Sequence, residues 1–323
     1  MHTFQSIAYA APSPGPRVVV TGAVHGNETC GTQAIRRVTA EIDTGALKLV
    51  RGQVTFVPVT NPLAYAHRRR QGERNLNRRL APTNDPKEFE DHVANWLCPI
   101  LARHEVLLDL HSFQASGPPF VMLGPQNNTG PLEPFAHAEK ENALARRLGV
   151  HRAVDGWLAT YARGVENRRA WAREHPDATL DLDPRYGVGT TEYMRSVGGW
   201  GLTVECGQHE DPAAPEMAYR AIVHTLAHLR LTETPDPAPV QAMELLRLVD
   251  VVDKTDAGDR FDRLWKSFDP LRPGERIGTR ADGTPVLAPH DGYIVFPNPE
   301  TGPGQEWFYL ATRVAPSGAD ESG

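Results

Sequence analysis

Two histidines and a glutamate are the residues of this chain whose types and spacing could hold a metal ion. His25 and Glu28 form a His-x-x-Glu pair, and side chains three residues apart can meet on one face of a turn. His111 offers a third donor from a distant stretch. Two imidazole nitrogens and a carboxylate suit a catalytic zinc site, which takes three protein ligands and keeps a position for water. Zinc lowers the pKa of its water towards ~7 and polarises a carbonyl, so the chemistry implied is hydrolysis. A lone His-x-x-Glu is more often a surface ion pair, and a lone histidine more often a hydrogen-bonded core residue. Position is what raises these three above that reading.

The elements that must position them are legible. Arg17 to Gly22 (RVVVTG) reads as a buried strand running into the His25–Glu28 stretch, and a helix follows through about Asp43. Val54 to Val59 is a second strand, Lys87 to Arg103 a helix, and Val106 to Leu110 a strand, apolar but for Asp109, ending at His111. Phe120 to Leu123 reads as strand, Pro134 to Leu148 as helix, Leu202 to Val204 as a short strand before Glu205, and Ala213 to Leu231 as helix. Apolar strands alternating with amphipathic helices predict an α/β fold with a mainly parallel, mixed central sheet flanked by helices. In such sheets functional residues gather at the carboxyl ends of strands. His25, His111 and Glu205 each follow one.

The bulk properties narrow the classes. The 323 residues carry a formal net charge of -6, with a pI near 6.1, which argues against a nucleic-acid binder. Six arginines between His67 and Arg79 form a basic run, a pattern usually found on a solvated face. Cys30, Cys98 and Cys206 are odd in number and widely spaced, so neither a disulfide framework nor a thiolate zinc site is expected. No signal-peptide pattern opens the sequence and no apolar run approaches membrane-spanning length. A cytoplasmic location without membrane or nucleic-acid partners is the expectation. Assembly into a homo-oligomer is compatible with the sequence and not specified by it.

Two further motifs complete a pattern: Arg70 through Arg78 (RQGERNLNR) and Leu202 through Gly207 (LTVECG). Together with His25-Gly26-Asn27-Glu28 and Asp109-Leu110-His111, they resemble the signature of the succinylglutamate desuccinylase and aspartoacylase family, relatives of the zinc carboxypeptidases. The stretch Ala288 to Phe296 (APHDGYIVF) resembles that family's small β domain, so the resemblance spans nearly the whole chain. It implies one zinc ion held by His25, Glu28 and His111, with zinc preferred over other divalent ions on this ground and on geometry. It implies Glu205 as general base and then general acid. Arg70 would polarise the scissile carbonyl, and Asn77 and Arg78 would grip the carboxylate of the substrate's amino-acid part. The chain departs from the family in carrying Asn75 where an acidic residue is usual, and Arg68 or Arg69 could take the carbonyl role instead of Arg70.

These roles agree with elementary chemistry. A carboxylate within reach of water can relay its proton to a leaving nitrogen, positive charge stabilises an oxyanion, and a guanidinium binds a carboxylate with two parallel hydrogen bonds. The function expected is hydrolysis of the amide bond of a small anionic N-acyl amino acid. The alternatives are a metallocarboxypeptidase acting on short peptides and a non-catalytic zinc or anion-binding protein. Among Tyr161, Arg163, Arg168, Arg185, Tyr186, Tyr193 and Arg195, one arginine is a candidate to bind a second substrate carboxylate. Cys30 and Cys206 flank the site and are assigned to packing. His209 and Glu210 lie near Glu205 and are not assigned as ligands. A Pro-rich stretch from Thr232 to Pro239 divides the chain into a catalytic domain (1–235) and a small β domain (240–314), with a flexible tail at 315–323.

Overall fold

The computed structural model describes residues 2–174 and 182–314; the tail expected at 315–323 lies outside them. In chain order the elements are β1 (Ile7–Ala10), β2 (Arg17–Gly22), α1 (Cys30–Asp43), β3 (Gln53–Val57), α2 (Pro62–Ala66), α3 (Phe89–Leu101), β4 (Val106–Phe113) and β5 (Phe120–Met122). There follow α4 (Ala138–Ala145), β6 (Arg152–Asp155), α5 (Trp157–Glu174), α6 (Thr190–Ser196), β7 (Trp200–Gln208) and α7 (Ala214–His228). After them come β8 (Glu244–Asp253), β9 (Arg260–Phe261), β10 (Pro270–Leu271), β11 (Arg276–Thr279), β12 (Pro285–Leu287), β13 (Gly292–Val295) and β14 (Glu306–Arg313).

The centre is an α/β sandwich. β3, β2, β4 and β7 run parallel, side by side. Their side chains alternate between two faces. In β2, Val18 and Val20 join the core beneath α1 and α7, whereas Val19 joins the core with Val93 and Leu97 of α3. Burial on both faces is what the unbroken β-branched run of RVVVTG permits. In β4 the same alternation sends Leu108 and Leu110 to the α1/α7 side, while Leu107 packs towards α3. Asp109 and His111 share the parity of Leu107, and therefore its face. In β7, Leu202 and Val204 pack on the α1/α7 side, leaving Thr203 and Glu205 to the opposite face. Because His111 and Glu205 are register partners on adjacent strands, two periodicities alone bring these side chains together.

Both strands run further than the apolar pattern suggests. β4 continues through His111 to Phe113, and β7 continues to Gln208, so His111 and Glu205 lie within strands and not after them. The polar residues there interrupt the apolar run without breaking the backbone ladder. The sheet is mixed, as expected: β1 pairs antiparallel with β3, and β5 pairs antiparallel with β7. The segment after the Pro-rich stretch adds β8, β14, β13 and β10 to the same sheet, through the parallel pairing of β6 with β8. It also forms a three-stranded sheet in the order β12-β11-β9. Pro134 to Leu148, expected as one helix, is helical only over Ala138–Ala145.

Candidate active site

The turn that carries His25 and Glu28 is made possible by small residues. Gly26 lies so close to α2 that a Cβ there would fall 2.0 Å from the carbonyl carbon of Ala64. A Cβ on Gly22 would meet the backbone of Gly31 at 2.9 Å, so the end of β2 and the start of α1 touch through glycine. Ala23 enters the turn with φ 48°, a region L-residues seldom adopt. The chain thus reverses tightly enough to return Glu28 to His25.

His25, Glu28 and His111 are all buried, and one donor atom from each lies within 4.8 Å of the others. His25 Nδ1 is 2.8 Å from Glu28 Oε1, and His111 Nδ1 is 2.9 Å from Glu28 Oε2. The outer nitrogen of each ring is held from behind. Asp109 meets His111 Nε2 at 2.8 Å, and Asn75 Oδ1 meets His25 Nε2 at 3.0 Å. Asp109 is itself fixed by the hydroxyls of Thr21 and Thr190. Imidazoles whose far N–H is tied down, with near nitrogens converging on a buried carboxylate, form the donor set of a divalent-cation site. These residues fit a metal ion of the zinc class. Burial, aided by the charge of Arg70, pushes His25 down to about 4, which keeps the ring neutral as a ligand must be. Burial would raise the carboxyl of Glu28, but the two histidines hold it well below its usual range.

Glu205 stands beside this cluster. Burial, reinforced by the charge of Glu28 and opposed by that of His111, raises its pKa well above the usual carboxylate range. Its Oε2 is buried with no hydrogen-bond partner. A buried carboxylate oxygen without a partner is costly, and its place in a cleft marks a candidate proton-transfer group. Of the three candidate arginines, Arg70 is the one that reaches the site, its Nη1 donating to Glu28 Oε1 at 3.2 Å. Arg70 lines the cavity, whereas Arg68 and Arg69 do not.

Asn77 and Arg78 lie across the same cavity, of about 920 Å³. The backbone N–H of Thr190, at the start of α6, donates to Asn77 Oδ1 at 3.0 Å. That anchors the carbonyl end of the amide and leaves its NH₂ group to donate. Arg78 is buried, with Nη1 donating to the Asn77 carbonyl at 2.8 Å and Nη2 to the Tyr161 hydroxyl at 2.6 Å. Glu306 of β14 comes within 3.4 Å of the same Nη2, while Arg78 Nε has no acceptor. Burial would raise Glu306, but Arg78, the Tyr161 hydroxyl and Arg168 together pull it down to about 2. Tyr161 also bonds Tyr309 at 2.6 Å.

Glu306 and Tyr309 went unread in the sequence because only the packing of β14 brings them to Arg78, with no local motif to mark them. His209 lines the cavity, bonded to Ser112 Oγ at 2.8 Å and to Asn27 at 3.3 Å; Glu210 is exposed. The Cys30 thiol donates to the His111 carbonyl and the Cys206 thiol to that of Val204. All three cysteines are free and buried, as the packing assignment expects. Tyr193 packs against the α3 core, and Arg163 and Arg185 lie outside the cavity wall. Among the described residues no helix is long and apolar enough to cross a membrane.

Residues 14–138 match the family model of the succinylglutamate desuccinylase/aspartoacylase catalytic domain. That stretch contains His25, Glu28, Arg70, Asn77, Arg78 and His111, so the motifs through His111 fall inside the match, whereas Leu202 to Gly207 and Ala288 to Phe296 lie outside it. No curated protein matches the chain. Solved structures share its fold over most of its length. A succinylglutamate desuccinylase/aspartoacylase from Rhodobacter sphaeroides superposes with a TM-score of 0.71 at 19% identity, covering 97% of this chain and 89% of that one. The succinylglutamate desuccinylase from Vibrio cholerae gives 0.70 at 17% identity, over 95% and 85%. The ectoine utilization protein EutE (DoeB) from Ruegeria pomeroyi gives 0.69 at 17%, over 95% and 88%.

Proposed function

We propose that this chain is a zinc-dependent deacylase that hydrolyses the amide bond of a small N-acyl amino acid, releasing a carboxylic acid and the free amino acid. One observation carries the reading: a buried His-Glu-His donor set stands beside a buried, unpartnered glutamate oxygen in one cavity. The family likeness supports the same reaction class.

His25, Glu28 and His111 would hold the ion. When bound, it supplies Lewis acidity towards the substrate carbonyl and acidifies water. Glu205 takes the proton of the attacking water and delivers it to the leaving nitrogen; its raised pKa suits both halves of that relay. Arg70 places positive charge beside the oxyanion. Arg78 Nε and the Asn77 amide receive the substrate carboxylate and so fix the scissile bond. Residues 296–298 and 303–306 rim the cavity, which favours short substrates. The test is a screen of the zinc-loaded protein on N-acetyl, N-succinyl and other N-acyl amino acids beside dipeptides. Hydrolysis of an N-acyl amino acid supports the reading; cleavage of dipeptides alone would replace it with a peptidase.

A further inference from the structure

The arginines that line the cavity are engaged from within the protein. Arg168 is clamped by Asp253, Nε to Oδ2 at 2.7 Å and Nη2 to Oδ1 at 2.8 Å. Arg195 is 6% exposed and carries three glutamates. Glu141 takes Nε at 2.9 Å and Nη2 at 3.3 Å, Glu133 takes Nη1 at 2.9 Å, and Glu192 takes Nη1 at 3.2 Å. The carbonyl of Gly201 accepts from Nη2 at 3.0 Å. Arg70 leans on Glu28. Arg79 is exposed at the rim, 5.8 Å from the Tyr186 ring centroid. Among the described lining residues there is no lysine. The buried guanidinium N–H left without an acceptor is Arg78 Nε.

We propose that the substrate carries a single carboxylate, received by Arg78 and Asn77, and that its acyl group and side chain are uncharged. This rests on the deacylase reading and sharpens it. A second carboxylate placed by Arg195 would enter a buried group where three carboxylates already surround one guanidinium. Placed by Arg168, it would face Asp253 and Glu306. In either place the new anion is desolvated beside like charges with no uncommitted cation to receive it. The expectation that an arginine between the third ligand and Glu205 binds a second substrate carboxylate is therefore reversed. Of the arginines in that stretch that reach the cavity, Arg195 is bonded at all three guanidinium nitrogens and Arg168 is paired with Asp253, and both serve to hold the wall.

The experiment compares matched pairs on the zinc-loaded enzyme: N-acetyl- against N-succinyl-alanine, and N-acetylglutamine against N-acetylglutamate. The proposal expects kcat/KM at least tenfold higher for the monocarboxylate of each pair. It further expects Glu133→Gln, which removes one of the charges around Arg195, to narrow the N-acetyl/N-succinyl gap several-fold while leaving N-acetyl-alanine turnover within about twofold. Equal or better turnover of the dicarboxylates would overturn it, as would an unchanged gap in Glu133→Gln. Should none of the four be hydrolysed, the deacylase reading fails by itself. Calorimetric binding of the same four compounds then decides the inference: tighter binding of the monocarboxylates sustains it, and binding of the dicarboxylates as tight or tighter overturns it.

Discussion

Asn75 holds the outer nitrogen of His25 at 3.0 Å, and its identity illustrates what side-chain chemistry can and cannot announce. In the sequence it stands out as a departure from an expected acidic residue. Only the geometry of the turn reveals that a neutral amide oxygen can orient the imidazole as a carboxylate would. Because such partners fix the ring and its tautomer, Asn75→Ala should weaken zinc affinity by roughly 10–100-fold, measured by competition with a chromogenic chelator. Glu205 is the complementary case. It was named from a motif, and the structure gives it a buried, unpartnered oxygen. Glu205→Gln should lower kcat by about 10²–10⁴-fold while bound zinc stays at its wild-type ratio. An unchanged rate would remove Glu205 from the reaction.

The elements that present these residues were legible where hydrophobic periodicity is strong. RVVVTG, the Val106–Leu110 run and the helices after Glu28 and around Trp96 all stand where their patterns put them. β1 and β6 were missed because four residues such as IAYA and RAVD give too short a pattern to separate from loop. Their pairing partners, not their own composition, hold them in the sheet. The His25–Glu28 turn depends on close backbone approach, and the requirement falls on Gly26. In Gly26→Ala the new methyl would collide with the Ala64 backbone, and neither turn nor α2 can yield without moving a site residue. The variant should lose about 1–3 kcal/mol, the usual cost of overpacking, read from urea denaturation. Loss of zinc affinity should accompany it, since the turn carries both His25 and Glu28. Full stability together with normal affinity would show that the turn tolerates a shift.

At the scale of the molecule, the strands after the Pro-rich stretch are not an appendage. They extend the main sheet through β6 and β8, and they deliver Glu306 to Arg78. The sequence showed these strands but not their attachment, which depends on pairing between segments about a hundred residues apart. Glu306 gives the join a pH signature. Its folded pKa of about 2 lies below the ordinary 4.5, so its ionised form stabilises the fold above 4.5, and that contribution is lost as pH falls from there towards 2. Thermal melts across this window should fall less steeply for Glu306→Gln than for the wild type. Equal slopes would mean that the Arg78–Glu306 contact does not couple the C-terminal strands to the site. The whole account turns on the ion that His25, Glu28 and His111 are proposed to hold. The most direct test is elemental analysis and N-acyl amino acid hydrolysis on one preparation of the wild type and of His111→Ala. The prediction is about one zinc per wild-type chain, with hydrolysis abolished by chelation and restored by zinc, and both lost in the variant. Full hydrolysis by a metal-free wild type, or a His111→Ala protein that keeps both zinc and activity, would contradict it.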